Sequence, residues 1–360
     1  MKIKLPVKEP LVTVYKHHAL PQAILAAQSP DRYHVLLQHY IQLFTSADVL
    51  SDLHCDIHWL EFCIHEYVTE MNPNPYLDVD IVVDRRTIKP EEMLDFLYAN
   101  LQLGKYVYIF YDMYYLDHSM AYKQEHRHNN FLVTGYDPGA KTFSVYDYNY
   151  NDNHKLQEMT FSSAEICDAV NALEGPDWAY RVALIKPKQD DMQERVTSAR
   201  FEQGIVDYYS RRNNFVAYEQ MREHGHSVRS CQDQAVFGLD VYDVVAAYIP
   251  RVLDYEGPPS ILPFHALLEH KAVLRHWLHT FIPNRAIYSE RLAEVEKEAL
   301  LLRNLALKYH LSGNVSIFNR LVPQVLQIKK VETELLENLL DYFQKPLWRD
   351  ADETNPVRHY

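Results

Sequence analysis

The sequence predicts an α+β fold: an antiparallel sheet in the N-terminal half, then an all-helical half. Three observations carry that expectation. Three short apolar runs at 106–110, 131–134 and 142–146 are filled by aromatic and β-branched residues and bounded by turn residues, as strands are. Asp137-Pro138-Gly139 lies between the last two and reads as the turn of an antiparallel hairpin. After a polar linker at 186–191, Lys-Pro-Lys-Gln-Asp-Asp, apolar residues recur almost everywhere at helical spacing.

Taken in order, residues 1–14 read as extended, broken by Pro6 and Pro10, and 20–27 as a helix with Pro21 suited to its first turn. Tyr33, Leu36, Leu37, Tyr40, Ile41 and Phe44 recur at three and four, so 31–44 reads as helix. A further helix is expected over 56–71, ended by Asn72-Pro73-Asn74-Pro75, and a strand over 76–83. Lys89-Pro90-Glu91-Glu92 opens a helix with acids in its first turn that runs to 101. After the three strands, Ser162 and Glu165 form the pattern of a helix-opening capping box, and 181–186 reads as one more strand. The helical half holds candidate helices at 198–211, 240–249, 264–281, 288–309 and 317–343, interrupted by the Gly- and Pro-containing stretch 254–263. These boundaries give a domain at 1–187, a helical domain at 192–345 and a polar tail at 346–360. The last two helices are long enough for a bundle wall or for the seam of a homodimer.

Composition narrows the function classes. The 360 residues carry a formal net charge of −13, which argues against binding nucleic acid or an anionic membrane surface. No apolar run reaches transmembrane length, and the charged, proline-broken N-terminus does not read as a signal peptide. Four widely spaced cysteines include no CxxC pair, so free thiols in the cytoplasm are the expectation. No Gly-rich phosphate loop and no G-x-S-x-G elbow are present, and no cofactor is implied.

The candidate chemistry lies at the strand ends. Asp112 follows the first run, His126 and His128 precede the second, and Asp147 ends the third. A hairpin can bring a His entering one strand beside an Asp leaving the next, and an imidazole oriented by a carboxylate is the base half of a catalytic triad. His126 and His128 also form H-x-H, but with no third ligand fixed by the sequence they are not read as a metal site. The oxygen-bearing run 147–153 lacks the glycine and closing glutamate of a calcium loop and reads as a polar hairpin loop.

The stretch around these residues resembles the butirosin biosynthesis protein H N-terminal family, a branch of the papain-like fold related to bacteriocin-processing cysteine peptidases. The resemblance is carried by D-x-Y-Y-L (Asp112, Tyr114, Tyr115, Leu116), by Y-K-x-E-H (Tyr122, Lys123, Glu125, His126), by G-Y-D at 135–137 and by F-x-V-x-D ending at Asp147. A looser likeness includes Tyr40-Ile41-Gln42-Leu43 and the helical half, and is to members from bacterial nonribosomal peptide and polyketide clusters. It implies a papain-like domain followed by a helical one, and an acyltransferase- or thioesterase-like protein acting on acyl or peptidyl groups bound to a carrier protein. His128, Asp147 and His126 would then be catalytic, with Tyr15, Gln42, Asp112, Tyr115, Tyr122 and Asn129 at the substrate. Two positions depart from that pattern. The family's catalytic His lies three residues after the E-H histidine, where this chain has Asn129, and His128 sits one place early. The nucleophilic Cys is expected just before the first helix, where Tyr15-Lys16-His17-His18-Ala19-Leu20-Pro21 offers no cysteine or serine. Cys55 precedes His128 and Asp147 but lies beside Asp56, which would raise its pKa, and Cys63 reads as a small core residue. The alternative expectation is therefore a catalytically inactive accessory protein that binds a synthetase, a carrier domain or a peptide.

Overall fold

The computed structural model describes residues 1–50, 60–62, 76–152, 154–189, 195–212, 235–252, 260–282, 286–345 and 348. In chain order its elements are β1 (Ile3–Lys4), α1 (Lys16–Gln28), α2 (Pro30–Leu37), β2 (Leu43–Ser46), β3 (Leu60–Phe62), β4 (Leu77–Asp84), α3 (Met93–Gln102), β5 (Tyr106–Asp112), β6 (His128–Asp137), β7 (Thr142–Asn149), β8 (Lys155–Ser162), α4 (Ser163–Asn171), β9 (Arg181–Pro187), α5 (Ser198–Ser210), β10 (Ala235–Phe237), α6 (Val241–Val252), α7 (Leu262–Phe281), α8 (Ala286–Ser312), α9 (Val315–Phe318) and α10 (Leu321–Phe343). The fold is mixed α+β with an antiparallel sheet and a helical C-terminal region. None of the described helices is long and apolar enough to cross a membrane.

The chain divides into two compact units, and neither is continuous: Met1–Tyr33 with Glu66–Met192, and His34–His65 with Gln193–Tyr360. The sequence reading had assigned 34–65 to the first. The first unit holds a seven-stranded antiparallel sheet in the order β4-β9-β5-β6-β7-β8, with β1 added against the far end of β6. The aromatic and β-branched run of β5 alternates as a pleated strand must. Val107, Ile109 and Tyr111 face a core shared with Phe131 and Val145 of the neighbouring strands, Leu97 and Leu101 of α3 and Ile166 and Val170 of α4. Phe110, on the opposite face, packs with Leu173 and Ala179. α4 opens with the expected capping box: Ser162 Oγ accepts from the Glu165 backbone N–H, and the Glu165 carboxylate accepts from the Ser162 N–H at 2.8 Å.

Two expectations are corrected and a third is met in part. Residues 43–46 are strand β2, paired with β10 and β3, and helix α2 ends at Leu37. The helix expected at 56–71 lies outside the described residues except for 60–62, which are strand β3. The extended reading of 1–14 is met by regular strand only at β1.

The second unit combines the three-stranded sheet β10-β2-β3 with the remaining helices. Its centre is a fully buried polar network. Lys271 Nζ of α7 donates to Glu332 Oε1 of α10 at 2.5 Å and to His270 Nδ1 at 2.8 Å. The same Glu332 accepts from the Tyr242 hydroxyl at 2.5 Å and from that of Tyr208 at 3.3 Å. With Nδ1 accepting, the His270 Nε2–H donates to the Ile41 carbonyl at 2.7 Å, so the imidazole is neutral.

Candidate functional site

The site is built at one end of the first unit's sheet. The pairing of β5 with β6 runs unbroken from Val107↔Val133 to Asp112↔His128, and β6 meets β7 at Leu132↔Tyr146 and Val133↔Val145. The register shift in β6 lies between Val133 and Gly135, away from the His. With no bulge between 128 and 133, alternation puts Asn129, Phe131 and Asp147 on one face and His128 on the other. His128 accordingly stands edge-on to Trp178, 5.1 Å between ring centroids, on the face that carries Phe110.

Asp147 is fully buried and is the hub of the centre. Its Oδ2 accepts from the Tyr111 hydroxyl at 2.9 Å and from His118 Nε2 at 3.1 Å, and its Oδ1 accepts from the Tyr148 N–H at 2.7 Å. Its counter-charge is Lys16, which forms an ion pair with Oδ1. Lys16 is the first residue of α1, placed there by Tyr15 in extended conformation at the N-cap. Its Nζ also donates to Asn129 Oδ1 at 3.0 Å and to the Asn130 carbonyl at 2.6 Å. Three acceptors thus meet the three hydrogens of an ammonium, and a neutral amine would leave them underdonated. Burial lowers the Lys16 pKa, and Asp147 resists that fall. Burial also pushes Asp147 up, but the charge of Lys16 and the hydrogen bond and charge of His118 outweigh it and hold the carboxyl below its ordinary range. The Tyr111 hydroxyl is driven well above the phenol range by burial and by the Asp147 charge. Tyr150, pushed up to about 12 mainly by burial, is also hydrogen-bonded to Asn129.

His126 belongs to a different pair. Its Nδ1 donates to Asp112 Oδ2 at 2.6 Å, and its ring lies against Tyr114, centroids 4.4 Å apart and planes within 19°. Asp112 is buried and its other oxygen accepts from the Tyr114 N–H at 3.0 Å, which fixes the carboxylate, while the His126 side chain is 64% exposed. The orienting carboxylate of His126 is thus Asp112, where the sequence reading had placed Asp147. Among the described residues neither His126 nor His128 belongs to a group of three side chains that could hold a metal.

The residues expected at the substrate are dispersed. Asn129 joins the Lys16–Asp147 centre. Tyr15 is buried at the start of α1 and stacks on His17, centroids 5.5 Å apart. Tyr115 stands edge-on to Tyr114 at 5.2 Å, near His126. Lys123 Nζ lies 5.0 Å from the centre of the Tyr122 ring. Gln42 belongs to the second unit, where its Nε2 donates to the Arg212 carbonyl at 3.0 Å and its Oε1 accepts from the Leu43 N–H. Sequence reasoning missed Lys16, Tyr111 and His118 as members of the centre. Lys16 had a signal, since it is the one lysine in the stretch searched for a nucleophile. No protein-family model matches the chain, and no curated protein matches it.

Proposed function

We propose that this protein is a non-catalytic accessory member of a natural-product assembly system, built on a papain-like scaffold, that binds an acyl or peptidyl carrier protein. One observation carries the reading. Lys16, from the stretch 15–21 where the butirosin-type resemblance expects the nucleophile, lies over a hundred residues from the base position Asn129 and from the orienter Asp147, yet the three meet in one hydrogen-bonded centre. Their convergence supports the scaffold, and their identities argue against acyl transfer through it. A lysine held as an ammonium has no lone pair to attack a thioester, an asparagine cannot accept the proton, and the carboxylate is committed to the ion pair. The centre is then structural: it fixes the start of α1 against the end of the sheet.

A second reading rests on the His126–Asp112 pair. An exposed imidazole oriented by a buried carboxylate can act as a general base for a bound amine attacking a thioester directly. Purified protein incubated with an acyl-carrier thioester and an amine acceptor, followed by intact-protein and native mass spectrometry, separates the two. The accessory reading expects a stable 1:1 complex and an unchanged acyl-carrier mass. Release of the acyl group that disappears in His126→Ala would overturn it in favour of the enzyme. Absence of both complex and turnover would remove both.

A further inference from the structure

α8 exposes more apolar surface than a helix finished by its own chain should. Its inner side, Leu292, Val295, Ala299, Leu302, Leu305 and Ala306, is buried. Its partners there are α7 and the antiparallel α10, to which it is tied by the Gln324 Nε2 bond to the Glu298 carbonyl at 3.1 Å and by the Tyr288 hydroxyl bond to the Asn338 carbonyl. The outer side still presents Leu301 at 39%, Leu300 at 44%, Ile287 at 62% and Leu311 at 77% exposure. Within 299–307 only Arg303 and Asn304 are polar, so apolar side chains reach well round the outer side of the helix as well as its buried side.

We propose that the outer face of α8 is the seam of a homodimer in which α8 pairs antiparallel with α8 of a second copy. The occupant is read from the order of charges. A repeat of 3.6 residues places Glu290, Glu294, Lys297, Leu301, Asn304 and Lys308 on one exposed stripe. The acids lie in its first half and the bases follow. A twofold axis crossing the stripe at the level of residue 299, between Lys297 and Leu301, matches the acid at one end of the stripe with the base at the other. Ile287 and Leu311 lie equally far from that point on either side, as do Glu290 and Lys308, Glu294 and Asn304, and Lys297 and Leu301. In the antiparallel pair each Glu290 therefore meets a Lys308 and the Leu300 and Leu301 side chains gather at the centre, with Ile287 and Leu311 on the two flanks of the seam. A parallel pair would set Glu290 against Glu290 and Lys308 against Lys308. Within one chain Glu294 pairs with Arg291 at 3.6 Å, whereas Glu290, Lys297 and Lys308 have no ion-pair partner among the described residues. The self-complementarity selects another copy of this chain over an unrelated protein.

Sedimentation equilibrium on the full chain tests this without reference to any carrier protein. The wild type is expected to dimerise, more weakly at high salt. Glu290→Lys alone and Lys308→Glu alone should each weaken the dimer about tenfold, since two symmetric contacts turn repulsive in each. Mixing the two variants in equal amounts should restore a dimer of wild-type affinity, now mixed, because every 290–308 contact again joins opposite charges. That rescue also shows that both variants are folded. Leu301→Glu should leave only monomer. A wild type that stays monomeric at high micromolar concentration would overturn the proposal, as would a dimer indifferent to both charge reversals or a mixture that fails to recover.

Discussion

Replacing Lys16 by methionine removes the ammonium while keeping most of its apolar stem, and so isolates the ion pair with Asp147. The carboxylate stays fully buried and keeps three donors, from Tyr111, His118 and the Tyr148 N–H. Asn129 Oδ1 and the Asn130 carbonyl each lose the donor that Lys16 supplied. Removing one member of a buried pair typically costs about 3–5 kcal/mol, and the remaining donors place this case near the lower value. The pH dependence gives the sign. In the wild type the Asp147 carboxyl is held below its ordinary range, so its stabilisation is present above the unfolded pKa and lost only as pH falls through the folded one. Without Lys16 burial has the upper hand and the carboxyl moves up. The variant can then take a proton that the unfolded chain at the same pH does not, and its deficit relative to wild type shrinks as pH falls. Lys16→Met with Asp147→Asn leaves no buried charge and should recover roughly half of the loss. Hydrogen exchange of β6 and β7 amides reads the sheet unit alone, which matters because two units need not unfold in one transition. A Lys16→Met deficit below about 1 kcal/mol would refute the reasoning, as would a deficit that does not shrink on acidification, or a double variant less stable than the single one.

Two further outcomes concern the helical unit. The His270 pKa is lowered far below its ordinary value by burial and by the Lys271 charge, and that of His276 is lowered from 6.5 to about 4 by burial and by neighbouring His34 and His279. Folding therefore excludes protons that the unfolded chain binds, so stability falls as pH drops from about 6.5 towards 4; His276, partly in contact with solvent, contributes about 1–2 kcal/mol of that loss. Urea titrations from pH 7 to 4.5 should show the slope reduced in His276→Gln, and a flat wild-type profile would contradict it. Lys271→Met strands Glu332 and should cost about 3–5 kcal/mol, whereas Lys271→Met with Glu332→Leu should recover part of that loss but not all of it, because the Tyr242 and Tyr208 hydroxyls and His270 Nδ1 lose a buried partner; a double variant worse than the single one would count against a buried ion pair.

The central strands were legible because β5, β6 and β7 combine β-branched and aromatic residues with a turn whose chemistry is local. The capping box at Ser162 was legible for the same reason. What was lost depends on partners distant in the chain. Phe44 completes a helical spacing with Tyr40 and Ile41, but residues 43–46 are drawn into a strand by Ala235–Phe237, which the local pattern cannot report. β8 shows no alternation because its two buried residues, Leu156 and Phe161, are an odd number of positions apart. At the site, the one-place offset of His128 was the legible signal: in an unbroken register it turns His128 to the other face and leaves Asn129 on the face of Asp147. The role of Lys16 was hidden because a search for nucleophiles passes over a lysine, and His118 has no neighbouring pattern that marks it as a partner of Asp147.

The interleaving of the two units bears on how the chain reaches its native state during synthesis. Leu36, Leu37, Tyr40, Ile41 and Leu43 leave the ribosome early, yet they end up buried in the unit completed by residues beyond 193. The Leu37 carbonyl receives the Trp277 indole N–H at 3.2 Å, and the Ile41 carbonyl receives His270. These apolar side chains must wait for more than half of the protein to be made, and while waiting they are a sticky segment inside an otherwise foldable N-terminal half. Truncation after the sheet would make that exposure permanent. A soluble version of the sheet unit should therefore be sought by replacing 34–65 with a short polar connection, not by cutting the chain at 187.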